Sequence, residues 1–451
     1  MNVRAMNKIL SSSLAFLAFK TFRVILCPDI SATPAVAYGV VYFPSWNGYL
    51  YAVNAFNGAL IWKQNLGQLT GLTGTGVLAN VTVSRSTSTI DGDLLIGVLC
   101  RNIIPGGGIT TRAMLHFQRQ CRKASSPNQG NPMEDLLLPD NGGRPGGYAG
   151  AAVWGSSPAI DVNRRLVYVA TGNLYTAPAE VLKCQEQQNN QTAKPSHPDQ
   201  CIGPDINYNS ILAIDIDSGR IRWSRQLGGY DIFYFACLVP NNPDCPPGPN
   251  LDADFGEAPM LLTINSNGTI RDVAVAVQKS GFAWALDRDN GDIVWFNLAG
   301  PGGKEGGGQR GAATDGRGVY TNIANSDRQS FMLTPSNQTT TAGAWVALDA
   351  NTGEIVWSTA NPSNDTAQGP VTLANGVLFA GSVASNGPIY AIDTGTGNIL
   401  WTYNTGATVY GGISASYGCI YVGNGYTVGW QGFTPLGLQE LHFTHFALAT
   451  G

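Results

Sequence analysis

One phrase of eleven residues occurs five times in this chain of 451. It reads AVNAFNGALIW at 52–62, AIDIDSGRIRW at 213–223, ALDRDNGDIVW at 285–295, ALDANTGEIVW (after Val346) ending at Trp357, and AIDTGTGNILW at 391–401. Each copy is a strand ending in Ala-aliphatic-Asp/Asn, a short turn closed by Gly, and a second strand reaching Trp. Gly58, Gly219, Gly291, Gly353 and Gly397 stand where a tight hairpin needs positive φ. The Asp or Asn four residues before each Gly can accept hydrogen bonds from the turn amides, and the Trp offers a broad flat surface to a neighbour. A lone hairpin cannot bury that surface, so the repeats must pack on one another.

Seven segments read as opening strands for such repeats, at 31–43, 84–97, 155–172, 256–281, 311–323, 368–382 and 410–425. Each has small residues, aliphatics, a turn and a β-branched run. Opening strands plus hairpins make four strands per repeat, the blade of an all-β propeller, here of seven to eight blades. Successive Trp residues are 161, 72, 62 and 44 residues apart, and only the last spacing approaches one bare blade. Long loops rich in Cys, Pro and Asn at 174–210 and 224–255 account for part of the excess, and loops of that length usually carry function. Two hairpin phrases are still missing between 62 and 213. The stretch 97–135, with five basic residues and no acid before Glu134, is expected to be a divergent non-blade segment that leaves the ring incomplete around its second and third blades. The tail at 430–451 has no strand-turn-strand phrase to close the ring.

With 26 Lys and Arg against 30 Asp and Glu, the net charge is −4, which leaves no basic footprint for nucleic acid. Residues 1–28 are leader-like, with Arg4 and Lys8 ahead of an apolar run at 9–19 that is too short for a stable membrane span. Cys184 with Cys201, and Cys237 with Cys245, bracket polar loops and read as disulfides of a secreted protein, the alternative being four unpaired loop thiols. Sequons at Asn80, Asn190, Asn267, Asn337 and Asn364 suit a glycoprotein in the same compartment.

The phrase Ala-x-Asp-x-x-Thr-Gly-x-x-x-Trp resembles the tryptophan-docking repeat of pyrroloquinoline quinone (PQQ) dehydrogenases, eight-bladed propellers that oxidise alcohols. The stretches GYAGAAVWGSSPAIDVNRRLVYVATGNLY, NLDADFGEAPMLL and VQKSGFAWALDRDNG are most similar to the polyvinyl-alcohol dehydrogenase-like branch, plant members included. The resemblance covers about 29–97 and 136–429 of a propeller spanning 29–429. It implies PQQ and Ca2+ as cofactors, a small or polymeric alcohol as substrate, and a separate electron acceptor, since no Cys-x-x-Cys-His haem motif is present.

Residue by residue, the resemblance places Trp154 as the floor under the quinone and Asn173 as a neutral oxygen ligand to calcium. Asp254 is the catalytic base beside the metal, with Asp252 as the rival, and Lys279 is the cation against the quinone oxygens. The family's acidic calcium ligand, its adjacent-cysteine pair and several clamps on the quinone carboxylates belong to blades expected within 97–135. No Cys-Cys pair exists in the chain. The expectation is therefore half a quinone site with weak cofactor retention, and the alternative function is a non-catalytic propeller that binds or scaffolds.

Overall fold

The computed structural model describes residues 32–45, 47–70, 87–91, 94–103, 110–119, 137–139, 147–153, 158–189, 199–233, 235–238, 241–245, 251–425 and 444–447. Among these, strands dominate and five sheets are four-stranded antiparallel meanders, the blades of a β-propeller. Sheet I comprises Ala35–Ala37, Val40–Ser45, Tyr49–Asn54 and Leu60–Asn65. Sheet III comprises Ala159–Asp161, Leu166–Ala170, Ser210–Asp215 and Ile221–Gln226. Sheet IV comprises Met260–Ser266, Thr269–Val277, Phe282–Asp287 and Ile293–Leu298. Sheet V comprises Ala313–Thr314, Gly318–Ile323, Ala344–Asp349 and Ile355–Ala360. Sheet VI comprises Thr372–Ala374, Val377–Gly381, Pro388–Asp393 and Ile399–Asn404. Sheets II (Thr89–Asp91, Leu94–Ile103, Thr110–Arg119) and VII (Ile413–Ser416, Cys419–Val422, Thr444–Ala447) have three strands each. All seven opening segments form the antiparallel pair that begins a sheet.

The five phrases share one local geometry. Ala pairs with Trp in each (Ala52 with Trp62 through Ala391 with Trp401), and the register slips by one residue immediately afterwards. That slip is a β-bulge, closed by the Gly at φ 71 to 76°. The Gly N–H donates to the Asp or Asn carbonyl four residues back at 2.8–2.9 Å. The Asp or Asn side chain caps the turn, as when Asp349 Oδ1 accepts from Asn351 N and Thr352 N at 2.8 and 3.1 Å.

Packing between blades reuses the same residues. Trp223, Trp295 and Trp357 each donate their indole N–H to a turn carbonyl of the following blade: Arg288, Ala350 and Thr394, at 2.9, 2.9 and 2.8 Å. Each indole covers that blade's turn glycine so closely that a Cβ on Gly291, Gly353 or Gly397 would lie 2.5–2.7 Å from it. Two residues beyond each Trp, a second side chain fastens the same turn: Arg225, Asn297 and Thr359 donate to the carbonyls of Gly291, Gly353 and Gly397. Trp295 (8% exposed) and Trp357 (2%) are buried, whereas Trp62, Trp223 and Trp401 are half-buried. None of the five is exposed, as the need of each flat surface for a neighbour requires.

Three features were not legible in the sequence. The segment expected to be non-blade contains strand: Leu94–Ile103 and Thr110–Arg119 form a ten-residue antiparallel ladder from Leu94↔Arg119 to Ile103↔Thr110. Both runs carry β-favouring residues (Ile96, Val98, Thr110, Thr111, Phe117), and a Pro-Gly-Gly-Gly turn signal separates them in sequence. The basic charge hid this. The long loop after Leu174 contains a helix, Ala179–Asn189, whose AEVLKCQEQQN sequence is made almost entirely of good helix formers. In the tail, Thr444–Ala447 pairs with Cys419–Val422 as the third strand of sheet VII.

Sheets I and VII meet. Ala35–Ala37 lies against Ile413–Ser416, Ser414 Oγ donates to Pro34 O, the Gly39 N–H donates to Tyr417 Oη at 2.8 Å, and Tyr421 Oη donates to Ala55 O at 3.3 Å. Both expected disulfides are present: Cys184–Cys201 with Cα atoms 5.7 Å apart, and Cys237–Cys245 at 4.8 Å. Among the described residues no helix is long and apolar enough to cross a membrane.

Candidate functional site

Three of the four residues singled out from the sequence come together. Trp154 lies outside the described residues. Asn173 (2% exposed), Asp254 (6%) and Lys279 (6%) are buried in one cluster, brought there by three backbone segments. Asn173 precedes the short strand Leu174–Thr176, which pairs with Ala149–Gly150. Asp254 stands in the turn leading into sheet IV. Lys279 follows that sheet's second strand, and its N–H donates to Asp254 O at 3.0 Å. Gly303 N and Gly307 N close on Lys279 O at 3.2 and 2.7 Å, so the backbone around the lysine is held from both sides.

The Asp254 carboxylate accepts the Asn173 N–H at 2.6 Å. It also lies on the Gly172 backbone, where a Cβ would sit 2.9 Å from Oδ1, so glycine is the residue that leaves room for it. The Asn173 side chain is oriented without ambiguity. Its Nδ2 donates to Leu174 O at 2.7 Å and Phe233 O at 2.8 Å, two groups that can only accept. Both amide hydrogens are thereby used and Oδ1 faces away from those carbonyls, which is how a neutral ligand oxygen must be presented.

Lys279 is paired with the other carboxylate of the DAD stretch. Its Nζ donates to Asp252 Oδ2 at 2.7 Å, with both side chains largely buried. Burial opposes the ammonium charge, yet Asp252 and Asp254 together hold Lys279 above the ordinary lysine value. Burial, reinforced by Asp254 and Asp231 against the pull of Lys279, lifts Asp252 to about 7. The two carboxylates that the sequence left as rivals therefore have different partners.

Asp231, which sequence reasoning missed, is fully buried beside them. It lies inside the long 224–255 loop with no motif around it, and only that loop's unusual length could have drawn attention there. Burial raises Asp231 to about 6, against the opposing effect of its N–H donors. Glu257, three residues after Asp254, is also fully buried. Its Oε1 accepts the Val277 N–H at 2.8 Å, and burial pushes its carboxyl up to about 8.

For a divalent cation the fit rests on donor chemistry. Asn173 Oδ1 and the Asp254 carboxylate are hard oxygen donors, with no sulfur or imidazole among the groups described around them, and oxygen donors are what calcium takes. Among the described residues no group of three or more His, Cys, Asp or Glu side chains is placed to hold a metal. The protein oxygens seen here are thus a subset of the six to eight a calcium ion requires. Chemically, the cluster offers a carboxylate fixed by a backbone N–H, a buried ammonium beside it, and a neutral amide oxygen.

A family profile described as outer membrane protein assembly factor BamB (PQQ_2) matches residues 285–429. The chain is 31% identical over 306 residues to a polyvinylalcohol dehydrogenase of Pseudomonas sp, covering 62% of this chain and 41% of that protein. It is 24% identical over 275 residues to a quinohemoprotein alcohol dehydrogenase of Comamonas testosteroni, covering 59% and 33%. It thus spans well under half the length of these curated relatives. The crystal structure of the Comamonas testosteroni enzyme superimposes with a TM-score of 0.58 at 18% identity, over 93% of this chain and 67% of that one, a likeness of fold.

Proposed function

We propose that this chain, a homologue of the polyvinyl alcohol and quinohemoprotein alcohol dehydrogenases, is an oxidoreductase that oxidises alcohols with PQQ and a calcium ion. The observation that carries the reading is the convergence of Asn173, Asp254 and Lys279 from three separate segments into one buried cluster. Asn173 Oδ1 and Asp254 would hold the metal, Lys279 would face the cofactor, and Trp154 would lie beneath it. When bound, PQQ supplies the two-electron acceptor for the substrate's hydride and the metal supplies Lewis acidity.

Asp254 acts as the base. The N–H of Asn173 fixes the carboxylate, leaving it to take the proton of the substrate hydroxyl. Lys279, paired with Asp252, would hold a positive charge against the oxygens of a bound quinone. Burial of these groups keeps water away and strengthens each interaction.

The substrate class is a small or polymeric alcohol, with electrons leaving to a separate acceptor. The five four-stranded and two three-stranded sheets support a ring of seven or eight blades. Two disulfides and the exposed sequon residues Asn267, Asn337 and Asn364 support a secreted, glycosylated protein.

The test is reconstitution of the purified chain with PQQ and calcium, followed by absorbance and dye-linked oxidation of small alcohols and polyvinyl alcohol. Asp254→Asn is expected to keep the fold and lower turnover by about 100-fold or more, the usual size of a general-base contribution. A folded chain that takes up PQQ and calcium yet turns over no alcohol would leave the non-catalytic propeller as the better reading.

A further inference from the structure

Asp231 occupies a position for which the proposed chemistry has no direct use. It is fully buried in the long loop between sheets III and IV. Its carboxylate takes three N–H donors, all local to the site: Asp252 N to Oδ1 at 3.0 Å, Ala253 N to Oδ2 at 2.6 Å, and Asn209 Nδ2 to Oδ2 at 2.9 Å. The two backbone donors are consecutive and flank a residue in the left-handed region, Asp252 at φ 54°. Successive amides around a left-handed residue form a concave nest whose N–H groups point together and favour an anion. Left-handed backbone at a non-glycine residue is unfavourable and persists only where surroundings over-determine it. Here the anion that fills the nest is Asp231.

The two side chains projecting from the clamped stretch are those with site partners. Asp252 reaches Lys279 Nζ at 2.7 Å, and Asp254 accepts from Asn173 N at 2.6 Å. The Asp231 backbone is tied to the same wall. Leu174 N donates to Asp231 O at 3.3 Å, Phe233 N donates to Leu174 O at 2.9 Å, and Phe233 O receives the Asn173 amide. One short run, 231–233, therefore orients both Asn173 and the DAD stretch.

We infer that Asp231 is the positioning residue of the site: its carboxylate, held by the nest at 252–253, sets the left-handed turn that aims Asp252 at Lys279 and Asp254 at the reacting hydroxyl. The inference about catalysis rests on the proposed alcohol oxidation, whereas the clamp itself stands on geometry alone.

Asp231→Asn replaces one acceptor oxygen with a donor, so three N–H groups face a single oxygen. In the full chain, we expect amide hydrogen exchange in a 251–255 peptide to accelerate at least tenfold. After loading with PQQ and calcium, kcat should fall about 10- to 100-fold, the loss usual for an outer-shell partner, with KM changed less than threefold. Asn209→Ala, which removes one donor and leaves the nest intact, should give the same pattern at smaller size and serves if Asp231→Asn does not fold. The Cys237→Ser/Cys245→Ser pair loosens the same loop without touching the clamp. It should lower thermal stability but leave both the 251–255 exchange rate and kcat within about threefold, because it removes none of the outer-shell hydrogen bonds.

Unchanged exchange at 251–255 in Asp231→Asn would overturn the clamp. An equal kcat loss in the cysteine pair would overturn the positioning role, because general loosening of the loop would then account for it. If the wild-type chain oxidises no alcohol, the proposed activity fails and the exchange measurement still decides the clamp.

Discussion

Glu257 carries its carboxyl fully buried, with Oε1 bonded to the Val277 N–H and Oε2 without a hydrogen-bond partner among the described residues. Burial moves it from 4.5 to about 8. A group that binds its proton more tightly when folded stabilises the fold fully below its unfolded value and loses that contribution as pH rises to the folded one. Stability is therefore expected to fall between about pH 4.5 and pH 8, where the unfolded chain releases the proton and the folded chain keeps it. Glu257→Gln keeps the acceptor for Val277 and removes the proton, so it should flatten that slope and exceed the wild type in thermal stability at pH 8. Denaturation scans at pH 5 and pH 8 measure it, and an unchanged slope would show that Glu257 does not titrate as its burial requires. The resemblance identified Asp254 three residues away, but nothing in the local text separates a loop Glu from a buried one.

Each repeated phrase is a strand pair whose turn, bulge and docking surface are encoded within eleven residues, which is why it was legible. The turn asks only for an Asx side chain and a glycine four residues later. The docking asks for a flat indole and a turn with no Cβ in its way. Gly353 meets both demands, at φ 76° with Trp295 Cε3 2.5 Å from where a Cβ would be. Gly353→Ala should therefore destabilise by about 1–2 kcal/mol through the left-handed backbone alone, and further by displacing Trp295. Urea unfolding followed by indole fluorescence would report both, and a loss below about 0.5 kcal/mol, the range of an unremarkable surface change, would mean that the indole does not press on the turn. The ladder between Leu94–Ile103 and Thr110–Arg119 was not legible because these strands lack the Asx-Gly-Trp phrase and carry basic residues along both runs.

A ring of sheets has to join its ends, and here the first sheet meets the seventh. Tyr421, 5% exposed, donates from the last sheet to Ala55 O in the first at 3.3 Å, across 366 residues of chain. Removing that hydroxyl in Tyr421→Phe should lower stability by about 1 kcal/mol, the net value of one such bond, with the larger part coming from the carbonyl left unpaired. Because the contact joins the two ends, hydrogen exchange should accelerate together in Val40–Ser45 and Cys419–Val422. Acceleration confined to the last sheet would show that the ends are not coupled. No phrase of the sequence signalled this junction, since its contacts involve single residues such as Tyr417 and Ser414 with no periodic spacing.

From the amino acids alone came whatever rests on neighbours a few residues apart: the turns, the bulged hairpins, the Trp surfaces, the seven opening strands, and two disulfides bracketing their own loops. Short-range hydrogen bonds and steric limits on φ depend on adjacent residues, so they can be read in one dimension. The tertiary structure decided which residues share the buried site and with whom. It placed Lys279 on Asp252 and the Asn173 N–H on Asp254, and it brought in Asp231 to fill the nest between them. Those pairings join segments from 173, 231, 252 and 279, and burial makes each of them strong. Neither the distance between segments nor the loss of water around them is written at any single position, because both arise only when the sheets close around the chain's loops.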